Sequence, residues 1–306
     1  LTPPSRRLKL VNQTVDRSRI SGLVVDFGGT KIAAARYLNG RQLDYLQTPT
    51  QAQASVTSQI NTIAQLLGEL QLRPEDRVVA AVSGRVDQRG NWYAVNTQTL
   101  SKIDCVPLKT LLQDRLQREV HVLNDCVAGA IGEANFGAGV GYENHAYISV
   151  STGIGGVCVV NGQPLLSANG LAGHVGFVSS RYASQMCGSG RMATVESVAS
   201  GRAIASLAAQ AGHPNLTTKE IFQYHLAGQD WATQLIQQSA SATADLCVNL
   251  AAIAGIECAV VGGSIGLAPG YIAFAQAQVD LEPHLFQMPL KAAALGQNAV
   301  LIGALV

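Results

Sequence analysis

Short apolar runs, each closed by glycines or small polar side chains, set the rhythm of this chain. Leu23-Val24-Val25-Asp26-Phe27 runs into Gly28-Gly29-Thr30-Lys31, and a second apolar run, Ile32 to Leu38, ends at Asn39-Gly40. Half a chain later the pattern returns. Ala146-Tyr147-Ile148-Ser149-Val150 leads into Ser151-Thr152-Gly153-Ile154-Gly155-Gly156, then Val157 to Val160, then Asn161-Gly162. Asn-Gly between apolar runs is a strong hairpin signal, so each copy predicts a strand, a glycine turn and an antiparallel second strand. A third strand with a glycine turn is expected at Val260-Val261-Gly262-Gly263-Ser264.

Between these landmarks the period changes from strand to helix and back. Ser55 to Leu70 and Leu108 to Gln117 predict helices, and a long Ala-rich helix is expected from about Ala232 to Ala254. Val78 to Val82 predicts a buried strand ending at Ser83-Gly84, and Val120 to Leu123 one ending at Asn124-Asp125 before another helix. This alternation is that of an α/β chain. The boundaries expected from it are a disordered or non-native tail over 1–20, an N-terminal α/β lobe over 21–126 and a C-terminal α/β lobe over 127–291. A helix over about 292–306 is expected to return to the first lobe.

The glycine turns carry the first candidate chemistry. Paired glycines let backbone N–H groups approach an anion without an intervening Cβ, while Thr30 and Lys31 add a hydroxyl and a cation. Asp26 is costly in a buried strand unless it holds a metal or joins a hydrogen-bond network, and hydrated Mg²⁺ would suit it. The plainer reading of this segment is a hairpin with a chance Gly-Gly. Its echo at Ser151 to Gly156 favours two turns that grip a polyphosphate from two sides. In an open α/β sheet the ligand crevice lies at the strand ends, which is where Asn124 and Asp125 fall. Asp125 there can act as general base on a substrate hydroxyl, with Asn124 orienting the substrate; the alternative is that Asp125 caps the following helix.

Composition narrows the class. The 306 residues suffice for two domains, and a net charge of +1 with 13% charged residues argues against a nucleic-acid surface. No apolar run approaches the roughly 20 residues that span a bilayer. The six cysteines, Cys105, Cys126, Cys158, Cys187, Cys247 and Cys258, are scattered and read as reduced core residues of a cytoplasmic protein.

Asp26 to Lys31, Leu123-Asn124-Asp125, Ser151 to Gly156 and Gly170-Leu171-Ala172-Gly173-His174-Val175-Gly176 occur in an order that resembles the ROK family of repressors and sugar kinases, over nearly everything from Leu23 onward. Val195 to Arg202 and Val261 to Tyr271 are similar to the bacterial branch whose sugar is N-acetylmannosamine. The resemblance implies a two-lobed actin-like ATPase (ribonuclease H-like) sugar-kinase fold with an interlobe cleft, and ATP-dependent phosphorylation of the 6-hydroxyl of N-acetylmannosamine in sialic-acid catabolism, with Mg²⁺. It implies that Asp26, Gly28, Gly29, Thr30, Lys31, Ser151, Thr152, Gly153, Gly155 and Gly156 cradle phosphates, that Gly262 and Gly263 lie near the adenosine, and that Asp125 is the base. Ser83, Gly84, Asn96, Asn124, His174 and Glu196 would contact the sugar. Each of the last has a plainer role open to it: Asn96 in a turn, His174 in a loop, Glu196 as a helix N-terminal acid. A homodimer is expected from the family. Repressor relatives carry a winged helix-turn-helix before the first turn, which the preceding twenty or so residues do not resemble, and no nucleic-acid or membrane partner is expected.

Two departures from the family pattern stand out. ROK kinases usually hold a structural zinc with one histidine and three cysteines; the matching positions here are Phe177, Cys187, Ser189 and Thr194, so no zinc is expected. The sugar loop after Asn96, usually Asn-Leu-Gly-Gly, is Thr99-Leu100-Ser101-Lys102. Three readings remain: a zinc-free N-acetylmannosamine kinase, a kinase for another hexose or N-acetylhexosamine, and a non-catalytic sugar-binding protein.

Overall fold

The computed structural model describes residues 15–96, 100 and 102–306. The repeated sequence pattern becomes a repeated fold. In the first half, β1 (Gly22–Phe27), β2 (Lys31–Leu38) and β3 (Arg41–Pro49) form an antiparallel meander. Helix α1 (Val56–Glu69) follows, capped by the Ser55 side chain, which accepts from Ser58 N, and it buries Ile60, Ile63 and Leu67 at helical spacing. Strand β4 (Val78–Val82) then pairs parallel with β1. The small β5 (Arg85–Val86) and β6 (Trp92–Tyr93) hairpin and helix α2 (Leu108–Leu116) lead to β7 (Val120–Asn124), parallel to β4. The sheet order is β3-β2-β1-β4-β7.

Helix α3 (Asp125–Phe136) carries the chain to the second half. There β8 (His145–Val150), β9 (Ile154–Val160) and the short β10 (Gln163–Pro164) repeat the meander. Past a long irregular loop come α4 (Glu196–Ala199), α5 (Gly201–Gln210), α6 (Thr218–Leu226) and α7 (Asp230–Ala254). Strand β11 (Cys258–Gly262) pairs parallel with β8, and after α8 (Gly263–Gly266) and α9 (Tyr271–Val279), β12 (Leu290–Ala292) pairs parallel with β11. The second order, β10-β9-β8-β11-β12, is the first sheet's plan again. Both Asn-Gly turns use φ > 0 at both residues, 50° and 72° at Asn39 and Gly40, 50° and 69° at Asn161 and Gly162. That is the geometry whose twist matches an antiparallel pair.

Helix α3 lies between the sheets. Its Ala128 packs with Val24, Val79 and Ala81 of the first, its Cys126 and Ala130 with Tyr147, Val157 and Val260 of the second. Helix α10 (Asn298–Ala304) follows β12 and returns to the first half, where Leu301 and Ile302 join Val24 and Val79.

Three expectations need correction. The last segment is not helical from 292: Leu290–Ala292 is the edge strand of the second sheet, and the helix begins only at Asn298. Residues 15–20 are ordered, because Ile20, 3% exposed, joins Tyr37 and Leu305 in the core, its carbonyl accepts from Gly40 N at 2.8 Å, and 17–19 form a 3₁₀ turn capped by Asp16. Residues 1–14 lie outside the described ones. Cys105 is exposed, unlike the other five cysteines, all of which are free thiols.

Candidate active site

A cleft of about 300 Å³ opens between the sheets, lined by the ends of β1, β4, β7 and β8 and by both glycine turns. It brings together Asp26, Gly28, Gly29, Thr30, Lys31, Ser83, Gly84, Asn96, Asn124, Asp125, Ser151, Thr152, Gly153, Gly155, Gly156, His174 and Glu196. Phe177 lines it as well. Most of these residues meet because they lie at or just beyond corresponding strand ends, and Asn96, His174 and Glu196 are brought in by the loops and by the start of α4.

The first turn is a tight hairpin in which Gly28 N donates to Lys31 O at 2.9 Å, and the Thr50 hydroxyl donates to Gly28 O at 2.7 Å. The hairpin therefore consumes the Gly28 N–H, and the tip toward the cleft is Gly29-Thr30. Lys31 Nζ donates to Gln297 Oε1 at 2.7 Å, in the segment leading to α10. In the second turn Ser151 N bonds Gly153 O at 2.9 Å, and Ile154 N donates to Glu196 Oε2 at 3.1 Å. Gly155 and Gly156 are paired in β9 opposite Ser149 and Ile148. Their lack of a side chain has a packing cause: a Cβ at Gly155 would lie 2.5 Å from the Cys126 sulfur, one at Gly156 2.6 Å from the Tyr147 carbonyl. Gly262 and Gly263 stand behind the second turn, outside the cleft lining. Gly263 has φ +84°, and a Cβ there would collide with the Val150 carbonyl. Ser264 Oγ reaches Ser151 Oγ at 3.2 Å.

Asn124, not Asp125, caps α3: its Oδ1 accepts from Cys126 N at 2.9 Å and Val127 N at 3.1 Å. Its Nδ2 donates to Gly84 O and to Asp125 Oδ1, both at 2.9 Å. The amide is thus fully used, and a sugar contact from Asn124 has to replace one of these bonds. Asp125 Oδ1 also accepts from Cys126 N at 2.8 Å, and the Cys126 thiol is a further hydrogen-bond partner of the carboxylate. Burial pushes the Asp125 carboxyl up to about 6 despite these donors. Burial, then the charge of Asp125, push Asp26 up to about 7, with Lys31 opposing. A pair of carboxyls this costly to ionise fits a cation between or beside them.

His174 Nδ1 lies 3.1 Å from Leu171 O, and its buried Nε2 has no protein partner. Burial lowers its pKa, so the ring is neutral, and with Nδ1 donating, Nε2 presents a lone pair to a hydroxyl. Its ring stacks on Phe177, centroids 6.1 Å apart. Glu196, 7% exposed and pushed up by burial, accepts from Ile154 N and from Gly188 N. Gly188 in turn presses on Asn96, whose side-chain amide occupies the space a Cβ at 188 would need. Thr99 and Ser101 of the altered sugar loop lie outside the described residues.

Around the usual zinc positions, Cys187 Sγ lies 3.0 Å from Ser189 Oγ, and Thr194 Oγ1 accepts from Ser197 N at 3.2 Å. With a phenyl ring at 177, these residues offer zinc a single thiol and do not make a tetrahedral N/S site. Arg202, Cys126 and Tyr147 also line the cleft, and reading the chain as a string missed them as site residues. Arg202 follows the Ser200 cap of α5, and a cation just inside a helix start beside Glu196 was the available signal.

No helix among the described residues is long and apolar enough to cross a membrane. The chain is 34% identical over 282 residues to an N-acetylmannosamine kinase of Pasteurella multocida, covering 92% of this chain and 94% of the relative. It is 36% identical over 286 residues to one of Vibrio vulnificus, covering 92% and 96%. Among solved structures it is similar to a ROK family glucokinase from Streptomyces griseus in complex with glucose and AMPPNP (TM-score 0.79, 25% identity, 93% and 97% covered). A ROK hexokinase from Thermus thermophilus is alike as well (TM-score 0.77, 28% identity, 93% and 96% covered). These are sugar kinases of the actin-like ATPase fold, and the ROK family model matches residues 23–306. The chain belongs to the ROK family.

Proposed function

We propose that this ROK-family sugar kinase phosphorylates the 6-hydroxyl of N-acetylmannosamine with ATP, Asp125 acting as general base. The observation that carries the reading is Asp125 itself: a carboxyl at the floor of the cleft, between both glycine turns, with Oδ1 pinned and Oδ2 free of those two bonds. At pH 7 it is largely ionised, so Oδ2 takes the hydroxyl proton as the sugar oxygen attacks the γ-phosphorus and the bond to the β-phosphate oxygen breaks. Asn124 is a positioning residue for this base. Gly29, Thr30, Thr152 and Gly153 line the cleft on its two walls, and their backbone N–H groups, with the cation of Lys31, would serve as donors for phosphate oxygens. Asp26 would hold Mg²⁺, which supplies charge neutralisation for the phosphates when bound. His174, Glu196, Asn96, Ser83 and Gly84 form the sugar side, and Gly262 and Gly263 the support for the adenosine side.

We read the 178–195 loop as metal-free, held by the Cys187–Ser189 and Thr194–Ser197 bonds where relatives would use zinc. The enzyme so described is cytoplasmic, homodimeric and works in sialic-acid catabolism. Its names in relatives at 34% and 36% identity support the choice of sugar. The test is ADP release in a coupled assay across N-acetylmannosamine, N-acetylglucosamine, glucose and mannose. Highest kcat/KM for N-acetylmannosamine supports the reading. Preference for another hexose moves the substrate assignment, and sugar binding without turnover on any of the four sinks the kinase. Zinc measured at about one per chain would overturn the metal-free loop.

A further inference from the structure

The chain passes between the two sheets twice: once through α3 and the turn after it, and once through the segment from β12 to α10. Both crossings meet at one side chain. Glu133, 0% exposed near the end of α3, accepts through Oε2 from Ala138 N at 2.7 Å and from Ala294 N at 3.0 Å, and through Oε1 from Leu295 N at 2.8 Å. Its own carbonyl accepts from Gly137 N at 3.1 Å and Gly139 N at 3.0 Å. Gly137 has to be glycine here, since a Cβ would land on the Glu133 carboxylate. One residue earlier on the second crossing, Ala293 N donates to Val261 O at 2.9 Å, which anchors that strand to the second sheet. On the other side, Gly132 of α3 and Gly303 of α10 bring the two helix backbones into contact, a Cβ at either colliding with backbone of the opposite helix.

We infer that Glu133 is the positioning residue of the interlobe pivot: its carboxylate ties both crossings to the end of α3, so that the lobes turn on one axis and deliver the γ-phosphate to the sugar in line. A buried carboxylate is expensive, and three backbone donors compensate it, one 5 residues from Glu133 and the others 161 and 162 residues away. A fold that needed only to satisfy the end of α3 had no call for a donor from the far crossing. The inference rests on the kinase reading for its effect on rate, and on geometry alone for the pivot.

The test is Glu133→Gln, whose side-chain NH₂ meets one or two backbone N–H groups that formerly donated. With parent-like far-UV circular dichroism, its kcat is expected to fall at least tenfold, with sugar KM changed less than threefold. The contraction in small-angle scattering on adding sugar and AMPPNP is expected to shrink. Parent-like kcat and contraction would overturn the inference. Should the variant fail to fold, hydrogen exchange in the parent decides: the amides of Ala138, Ala294 and Leu295 keep their protection when sugar and AMPPNP bind if the pivot holds, and lose it if closure breaks these bonds. Failure of the kinase reading looks different, because a parent that turns over no sugar leaves scattering and exchange as readable as before.

Discussion

The charge of Asp125 adds to the cost of ionising Asp26, whereas burial alone raises Asp125, and the two residues should separate on mutation. Asp125→Asn keeps the hydrogen bonds on Oδ1 but cannot accept the hydroxyl proton. Its kcat is expected to fall about 10²–10⁴-fold with sugar KM within a few-fold of the parent, measured by steady-state ADP release. In the parent, kcat/KM should lose about tenfold per pH unit below about 6, where Asp125 protonates, and the limb should be absent from the residual activity of the variant. Asp26 makes a stability prediction of opposite sense. Its folded-state value, about 7, lies above the unfolded 3.8, so the charged form costs stability above pH 7, and the cost fades as pH falls through 7 toward 4. Asp26→Asn should therefore be the more stable protein in the absence of metal at pH 8, by about 4 kcal/mol, and the gap should close by about pH 4. Urea denaturation of both proteins at pH 8 and pH 5 measures it, and a variant less stable than its parent at pH 8 contradicts it.

At the level of elements, glycines decide where α3 can lie. Gly155 admits the Cys126 sulfur against β9, while Gly132 and Gly303 let α3 and α10 touch backbone to backbone. Gly303→Ala places a Cβ on the Ala128 carbonyl and is expected to destabilise by about 1–3 kcal/mol, read as a lower urea midpoint at unchanged m-value. The same glycines explain what the sequence could and could not convey. Strand, turn and Asn-Gly hairpin were legible twice over because their signals are local: alternation of period and a φ > 0 requirement. At Gly155 and Gly156, expected in a phosphate turn, and at Gly262 and Gly263, expected near the adenosine, close packing also asks for a missing Cβ, and a string of residues does not separate that demand from ligand approach. The place of Asp125 in the cleft was legible but not its place as the second residue of a capped start, since Asn124 and Asp125 are both good caps and only hydrogen bonds tell them apart. The edge strand Leu290–Ala292 is too short to show a period, and the anchoring of Ile20 depends on Tyr37 and Leu305, which no local pattern names.

Across the whole molecule the two halves touch at the mouth of the cleft as well as at α3. Gln88 N donates to Ala168 O at 3.1 Å, Arg85 donates to Asn169 O, and Gly170 with φ +70° sits on the Val86 carbonyl. Deeper in, Gly188 meets Asn96, and its N–H goes to Glu196, whose Oε2 also takes Ile154 N of the second glycine turn. A single carboxylate thus joins the proposed sugar side of the cleft to the proposed phosphate side, through residues 92 positions apart at Asn96 and Gly188 and 42 apart at Ile154 and Glu196. Such pairings are invisible in a string because nothing near residue 96 specifies residue 188. They make a specific demand, namely that position 188 carry no side chain. Gly188→Ala forces Asn96 aside while leaving the backbone N–H to Glu196 in place, and its φ is not one that only glycine adopts. Sugar KM is expected to rise about tenfold, roughly 1.4 kcal/mol of lost sugar binding, with ATP KM within twofold. Initial rates over a grid of sugar and ATP concentrations separate the two constants. An equal rise in both would mean that the 187–190 turn supports the phosphate turn through Glu196 rather than the sugar through Asn96.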